Sequence, residues 1–149
     1  MSRGFTLIEL VIALSIIMLV SAGVSIGLRN RNTDRRALQN ASLTLQADLR
    51  YAQRRAIMEG RRFGVLFEPA RNRYHIVARY PVSRPERIVR TVYFENGVRL
   101  QSTTGTHLMF LPRGTSSGGF TILLSNGSYW QRTTATVSGG RIRVFDIME

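Results

Sequence analysis

The chain has 149 residues, a formal net charge of +12 and no cysteine. This length allows one domain of ordinary size, and the missing cysteine excludes any disulfide. All 21 basic residues are arginine, against nine acidic residues. The surplus creates a positive field, which favours nucleic acid, anionic lipid or an acidic protein as a partner.

An apolar run from Phe5 to Leu28 opens the chain, with no proline and one charged residue, Glu9. Its 24 residues are enough for a helix to cross a bilayer core of about 30 Å. An ionised carboxylate is disfavoured inside a membrane and usually has a partner there. A new amino terminus at Phe5 would supply that partner, in the same chain or in a neighbour.

The segment Gly-Phe-Thr-Leu-Ile-Glu-Leu at positions 4–10, followed by the apolar run, resembles the class III signal of type IV pilins and pseudopilins. The resemblance implies that a prepilin peptidase cuts between Gly4 and Phe5 and methylates the new terminal Phe5. It also implies that Glu9 guides docking onto other pilins or pseudopilins during filament assembly. Residues 1–4 would then be the leader peptide, and residues 5–28 the transmembrane helix and filament core.

An ordinary secretory signal is the alternative, because the tripeptide Val20-Ser21-Ala22 before Gly23 suits a cleavage site. The charge of Glu9 within the apolar run argues against it. Membrane topology is also open, since more arginines follow the run than precede it, and the positive-inside rule then places the amino terminus outside. The pilin resemblance implies the reverse: a cytoplasmic amino terminus, a single pass through the bacterial inner membrane, and later incorporation into a pilus or pseudopilus.

Residues 29–60 are predicted to continue the helix with an amphipathic pattern. Gly60 suits the position just after a helix end. The apolar stripe, which predicts packing on a sheet, consists of Leu38, Ala41, Leu45, Leu49, Ala52 and Ala56.

After Gly60 the hydrophobic period changes to two, which predicts an antiparallel β domain over residues 61–149. Residues 68–72 predict a hairpin connection, and Asn96-Gly97 and Asn126-Gly127 each predict a type I′ turn between strands. The predicted fold class is α+β, with a long N-terminal α-helix packed on a C-terminal antiparallel β-sheet domain. The predicted strands are Phe63–Phe67, Tyr74–Tyr80, Ile88–Phe94, Val98–Gln101, Leu108–Leu111, Phe120–Ser125, Ser128–Gln131, Thr134–Val137 and Arg141–Ile147.

Two patches in the C-terminal half resemble the GspH/FimT type of minor pilin and pseudopilin. They are Phe-Leu-Pro-Arg-Gly at 110–114, with a strand after Gly119, and Gly-Arg-Ile-Arg-Val at 140–144. Some members of this type belong to type II secretion machines, and others are minor pilins of type IV pili, of which some bind DNA during natural transformation. In those DNA-binding members a Gly-Arg-x-Arg motif contacts DNA, and Gly140, Arg141 and Arg143 match it here.

On a strand, Arg141 and Arg143 would point to one face about 6 to 7 Å apart, which is close to the spacing of successive phosphates. Both guanidinium groups could then contact one DNA backbone, with little sequence specificity and a steep salt dependence. The structural alternative is that the two arginines point outward only because Ile142 and Val144 face the core.

No other motif indicates catalysis, a metal or a cofactor. His75 and His107 are isolated and lack metal-ligand spacing, so each is expected to be a solvated or packed strand residue. Tyr129 and Trp130 would suit base stacking, although an aromatic pair on a strand is more often core. The chain is therefore predicted to be a minor type IV pilin without enzymatic activity that binds double-stranded DNA. The alternative is a structural pseudopilin at the tip of a type II secretion pseudopilus.

Overall fold

The computed structural model describes residues 7–79, 86–137 and 141–147, with the side chains of residues 20–32 and 147 outside the description. The chain divides into two compact units, Met1–Thr33 and Asp34–Glu149. Helix α1 (Leu7–Glu59) begins in the first unit and ends in the second. The described strands, all in the second unit, are β1 (Arg62–Glu68), β2 (Arg73–Arg79), β3 (Arg87–Tyr93), β4 (Arg99–Thr103), β5 (His107–Phe110), β6 (Phe120–Asn126), β7 (Tyr129–Ala135) and β8 (Ile142–Ile147).

In the first unit the described apolar side chains of α1 are exposed. From Leu7 to Leu19 the large ones keep between 48% and 81% of their surface accessible. Within the described residues, no helical stretch has both the length and the hydrophobicity that crossing a membrane requires. The predicted transmembrane segment, residues 5–28, includes residues outside the description and stays a prediction.

In the second unit the predicted apolar stripe of α1 is confirmed. Five of its six residues are at most 2% exposed and the sixth, Ala41, is half-buried, so the stripe shares one core with both sheets. The helix ends as predicted at Gly60, which has a φ of +62°. The amides of Gly60 and Arg61 donate to carbonyls of the last helical turn, and this satisfies groups that the helix end would otherwise leave unpaired.

The β domain consists of two antiparallel four-stranded sheets. The first sheet has the order β3-β2-β1-β5 and the second has the order β4-β6-β7-β8. The rings of Phe67 and Phe120 stack between the sheets with centroids 5.4 Å apart, so one core serves both. The predicted α+β class is confirmed, but alternation along single strands does not reveal how they are shared between two sheets.

Strand β7 is continuous, whereas the pattern predicts two strands over 128–131 and 134–137. That prediction is wrong because Arg132 and Thr133, the residues between the predicted strands, fit the ladder. Thr133 faces the core with no exposed surface, and Arg132 points outward. Neither is a glycine or proline that would interrupt the pairing with β6.

The predicted turn at Asn126-Gly127 is displaced by one residue. Asn126 stays in β6 and pairs with Tyr129, so the loop consists of Gly127 and Ser128. Of these two, only Gly127 has a positive φ, +58°, which makes the turn type II′ instead of the predicted type I′. Asn126 is held in the strand because its side-chain amide donates to the carbonyls of Asp34 and Asn96.

The other two predicted connections are present. Glu68 pairs with Arg73 across the short 3₁₀ helix Pro69–Arg71, which confirms the hairpin. Asn96 and Gly97 have the positive φ values of a type I′ turn, 55° and 80°. That turn joins β3 to β4, which belong to different sheets and do not pair.

The patch at positions 110–114 is a turn that docks on the helix. Gly114 has a φ of +82°, and its amide donates to the carbonyl of Leu111 at 2.8 Å. Its carbonyl accepts a 2.7 Å hydrogen bond from the side chain of Gln53. A β-carbon at Gly114 would lie 2.9 Å from the side chain of Ile57, so both conformation and space favour glycine there.

Candidate functional site

Arg141 and Arg143 of the predicted Gly-Arg-x-Arg motif lie at the edge of the second sheet. Arg141 and Arg143 are both exposed, while Ile142 between them is 8% exposed and joins the core. The carbonyl of Arg141 accepts a 3.0 Å hydrogen bond from the backbone amide of Thr136. The pairing with β7 therefore includes Arg141, one residue before β8 begins. The two arginines therefore share the outward face. Gly140 lies outside the described residues.

Other strands contribute two more arginines to this outward face. Arg132 on β7 lies opposite Phe145 on β8, and its guanidinium is 5.6 Å from the centroid of the phenylalanine ring. Arg99 on β4 lies opposite Ser125 on β6. We call this outward surface of β4, β6, β7 and β8 the basic face, and its arginines are Arg99, Arg132, Arg141 and Arg143.

Sequence reasoning missed the contributions of Arg99 and Arg132 to this surface. A single continuous strand over these residues would have revealed Arg132, because Trp130, Arg132 and Thr134 then alternate outward with inward side chains between them. No local signal identifies Arg99, because β4 and β8 are the two outer strands of the sheet and are far apart in sequence.

Among the described residues, no carboxylate points outward on the basic face. Asp146 on β8 is exposed, but it alternates to the other side of the strand, where it accepts a hydrogen bond from the side chain of Gln131. No described carboxylate lies within ion-pair distance of the four arginines. As far as the described residues show, the face therefore presents a positive charge that no outward-pointing carboxylate neutralises.

Three arginines on the strands of the first sheet are paired with carboxylates. On its outward side, Glu68 accepts a 2.8 Å hydrogen bond from Arg73 and lies 3.7 Å from Arg71. The hydrogen bond from Arg73 holds the pKa of Glu68 below its ordinary value. At the same sheet, Arg79 pairs with Glu86, and Arg90 pairs with Asp48 of α1. These arginines are balanced locally, whereas Arg62 of β1 and Arg87 of β3 are exposed and form no ion pair with a described carboxylate.

The two histidines occupy different surroundings. His75 is 4% exposed, 3.4 Å from Glu68 and 2.7 Å from the hydroxyl of Thr91, so it is a packed strand residue. His107 is partly exposed and contacts Thr106. In the described part of the chain, no group of histidine, aspartate and glutamate side chains has the geometry to hold a metal ion.

The predicted processing site is mostly outside the description. Gly4 and Phe5 are not described, and Glu9 lies in the first turn of α1 with an exposed side chain. Its described apolar neighbours, from Leu7 to Leu19, are exposed as well.

A long helix that packs on an antiparallel β domain defines the pilin-like class of filament subunits. Residues 41–141 match the family described as type II transport protein GspH, and residues 1–25 match the prokaryotic N-terminal methylation motif. The chain belongs to the GspH family and is a minor pilin or pseudopilin of the GspH/FimT type. The methylation motif implies that it is a substrate of a prepilin peptidase, and the family is one of structural proteins.

Solved structures show the same fold at low sequence identity. The minor pseudopilin EpsH from the type 2 secretion system of Vibrio cholerae is 17% identical, with a TM-score of 0.59 over 73% of this chain and 96% of that chain. The type IV minor pilin FimU of Pseudomonas aeruginosa is 19% identical, with a TM-score of 0.62 over 76% of this chain and 91% of that chain. Comparison with curated protein sequences finds no match.

Proposed function

We propose that this chain is a minor type IV pilin whose globular domain binds double-stranded DNA for natural transformation. The observation that carries the proposal is the basic face, where four exposed arginines lie on one sheet surface and no carboxylate of the described residues points outward. A phosphate backbone is the natural ligand of such a surface, since arginine binds phosphate oxygens with two parallel hydrogen bonds. The expected contacts involve Arg141, Arg143 and the backbone near Gly140.

The mode of binding follows from the chemistry of the face. Its charged groups would contact phosphates, which carry no sequence information, so binding is expected to be non-specific. Each phosphate that an arginine neutralises releases counterions, so the affinity is expected to fall steeply with salt. The balanced ion pairs of the first sheet would add little, because their carboxylates repel the same phosphates.

The amino-terminal segment would place the domain in the filament. We propose cleavage after Gly4, methylation of Phe5, and retention of residues 5–28 in the inner membrane before assembly, with the globular domain outside the cytoplasm. The exposed apolar side chains from Leu7 to Leu19 support this role, because an apolar surface of that extent needs lipid or neighbouring helices to cover it. In the assembled filament, the carboxylate of Glu9 would form an ion pair with the new, positively charged amino terminus of a subunit.

A structural pseudopilin of a type II secretion pseudopilus tip is the second candidate. The family name and the likeness in fold to EpsH favour it as much as the likeness to FimU favours a pilus. In that role the basic face would meet an acidic partner subunit instead of DNA. DNA binding by the basic face therefore discriminates between the two candidates.

The proposal is tested by titrating the full-length protein in non-ionic detergent against a labelled 30-base-pair duplex at low salt. We expect binding that is equal for unrelated sequences and that the double change Arg141→Gln and Arg143→Gln weakens about tenfold. The matched control changes Arg50 and Arg54, two exposed arginines of α1, to glutamine and so removes the same charge. Equal losses in both double variants would mean diffuse attraction, and no binding by the wild type would favour the secretion pseudopilin.

A further inference from the structure

The centre of the outer strand pair carries an aromatic ring that the core does not use. Phe145 keeps 39% of its surface accessible and points outward from β8, which is an edge strand. Arg143 lies two residues before it on the same face, and Arg132 lies directly opposite on β7. An apolar ring is therefore placed between two guanidinium groups.

We infer that this site binds single-stranded DNA, with one base stacked on the Phe145 ring and the adjoining phosphates held by Arg132 and Arg143. The inference rests on the proposed function, because it assigns a form of DNA to the same face. It adds a contact to a base, whereas a row of arginines alone would contact only the backbone.

The physical reason lies in which strand form exposes its bases. In a duplex the bases are paired and stacked on each other, so their faces cannot reach a ring on a sheet surface. In a single strand each base has a free π-face, and aromatic side chains bind it with little regard to sequence. A sheet surface with outward aromatic and basic side chains is a common platform for such strands.

Arg132 already occupies the space over the ring, and a base would have to displace it. The contact between an exposed guanidinium and an aromatic ring is weaker than the stacking of a base on that ring. The displaced guanidinium of Arg132 could then bind the phosphate next to the stacked base, and this charged contact is stronger than its contact with the ring. Stacking of the base and movement of Arg132 to the phosphate would therefore favour each other.

Local charge separates this site from the other exposed pairings of arginine with an aromatic ring among the described residues. Arg73 lies 5.7 Å from the ring of Tyr93, and Arg73 is hydrogen-bonded to Glu68. Arg55, 5.8 Å from the ring of Tyr51, forms an ion pair with Glu59. In both places a carboxylate would repel an approaching phosphate. Arg132 forms no ion pair with a described carboxylate, and the nearby Asp146 lies on the other side of β8, where it is hydrogen-bonded to Gln131.

The test compares two single strands of equal charge, thymidine 30-mer and an abasic 30-mer, each titrated against the full-length protein in detergent. We expect the wild type to bind the thymidine strand about tenfold more tightly than the abasic strand. Phe145→Ala should remove this preference and leave the affinity for the abasic strand unchanged. Arg143→Gln should weaken the binding of both strands by the same factor.

Tyr93→Ala is the matched control, because Tyr93 is also exposed beside an arginine, and it should keep the tenfold preference. Phe145→Leu keeps an apolar side chain without a π-face and should lose the preference as Phe145→Ala does. Equal, salt-sensitive binding of both strands by the wild type would overturn the stacking site and leave the proposed function standing. Absence of binding to either strand and to duplex DNA would overturn both.

Discussion

Replacement of Glu9 by glutamine is expected to give a subunit that is cut and methylated normally but incorporated into filaments at least about tenfold less. Glutamine has nearly the same size, so the change removes only the negative charge. In apolar surroundings the charged amino terminus of a subunit would then lack its counterion, which costs several kcal/mol. The measurement is the ratio of subunit in sheared filaments to subunit in whole cells, with processing followed by intact mass.

Two further variants separate assembly from processing. Glu9→Asp keeps the charge on a shorter side chain and should restore part of the incorporation. Replacement of Gly4 by leucine should have the opposite signature, with the uncut precursor accumulating in the membrane. Normal incorporation of the Glu9→Gln subunit would refute the role assigned to Glu9, and a mature-size product from the Gly4 variant would refute the cleavage site.

Gly64→Ala is expected to lower the free energy of unfolding by about 3 kcal/mol or more, although it adds a single methyl group. Gly64 is buried in β1 and pairs with Val77 on one side and Met109 on the other. A β-carbon there would lie 2.2 Å from the carbonyl oxygen of Leu108 and 2.9 Å from the α-carbon of Met109. Because both are backbone atoms, relief requires β5 to move away from β1.

Thermal unfolding followed by circular dichroism measures this effect, with an expected fall in melting temperature of roughly 10 °C. The control is Gly119→Ala, because a β-carbon at Gly119 meets no other heavy atom within 4 Å. That variant should differ from the wild type by less than about 0.5 kcal/mol. A stable Gly64→Ala protein would mean that β1 and β5 do not approach as closely as described.

The features that follow a regular period could be predicted from the sequence. The stripe of α1 follows the helical repeat, so its buried positions are readable as soon as the helix is assumed. Most strands were located correctly for the same reason, since inward side chains alternate with outward ones. The signal that indicates the wider class of pilins and pseudopilins is also local, because it depends on a few residues at fixed spacings near the amino terminus.

Features that depend on distant partners could not be predicted. The side chain of Asn72 bonds to the carbonyls of Phe94 and Val98 and to the amide of Leu100, and nothing near Asn72 in the sequence indicates these partners. Such bonds tie the hairpin after β1 to the connection between the two sheets.

Asp48 is a second example. It lies three residues after Leu45 and four before Ala52, so its spacing places it beside the apolar stripe of α1, but nothing near it in the sequence indicates its partners. It is 6% exposed and accepts a 2.7 Å hydrogen bond from the hydroxyl of Tyr74. Burial and then this hydrogen bond raise the pKa of Tyr74 above its ordinary value. Arg90 completes the group as the ion-pair partner of Asp48.

The basic face combines residues whose shared orientation the sequence predicts with residues whose position depends on distant strands. Arg141 and Arg143 are two residues apart, so the sequence alone suggests that they share a face. Arg132 reaches the same face only through the pairing of β7 with β8, and the predicted break in β7 leaves Arg132 outside any strand. The absence of outward carboxylates among the described residues is likewise a property of four strands together.

The salt dependence of duplex binding tests the basic face most directly. The logarithm of the association constant is measured against the logarithm of salt concentration for the full-length wild type and for the variant with Arg141 and Arg143 changed to glutamine. If each arginine contacts one phosphate, the magnitude of the slope should fall by about 1.8 in the variant, and it should stay unchanged when Arg50 and Arg54 are replaced. Identical slopes for all three proteins would contradict a DNA site at these arginines.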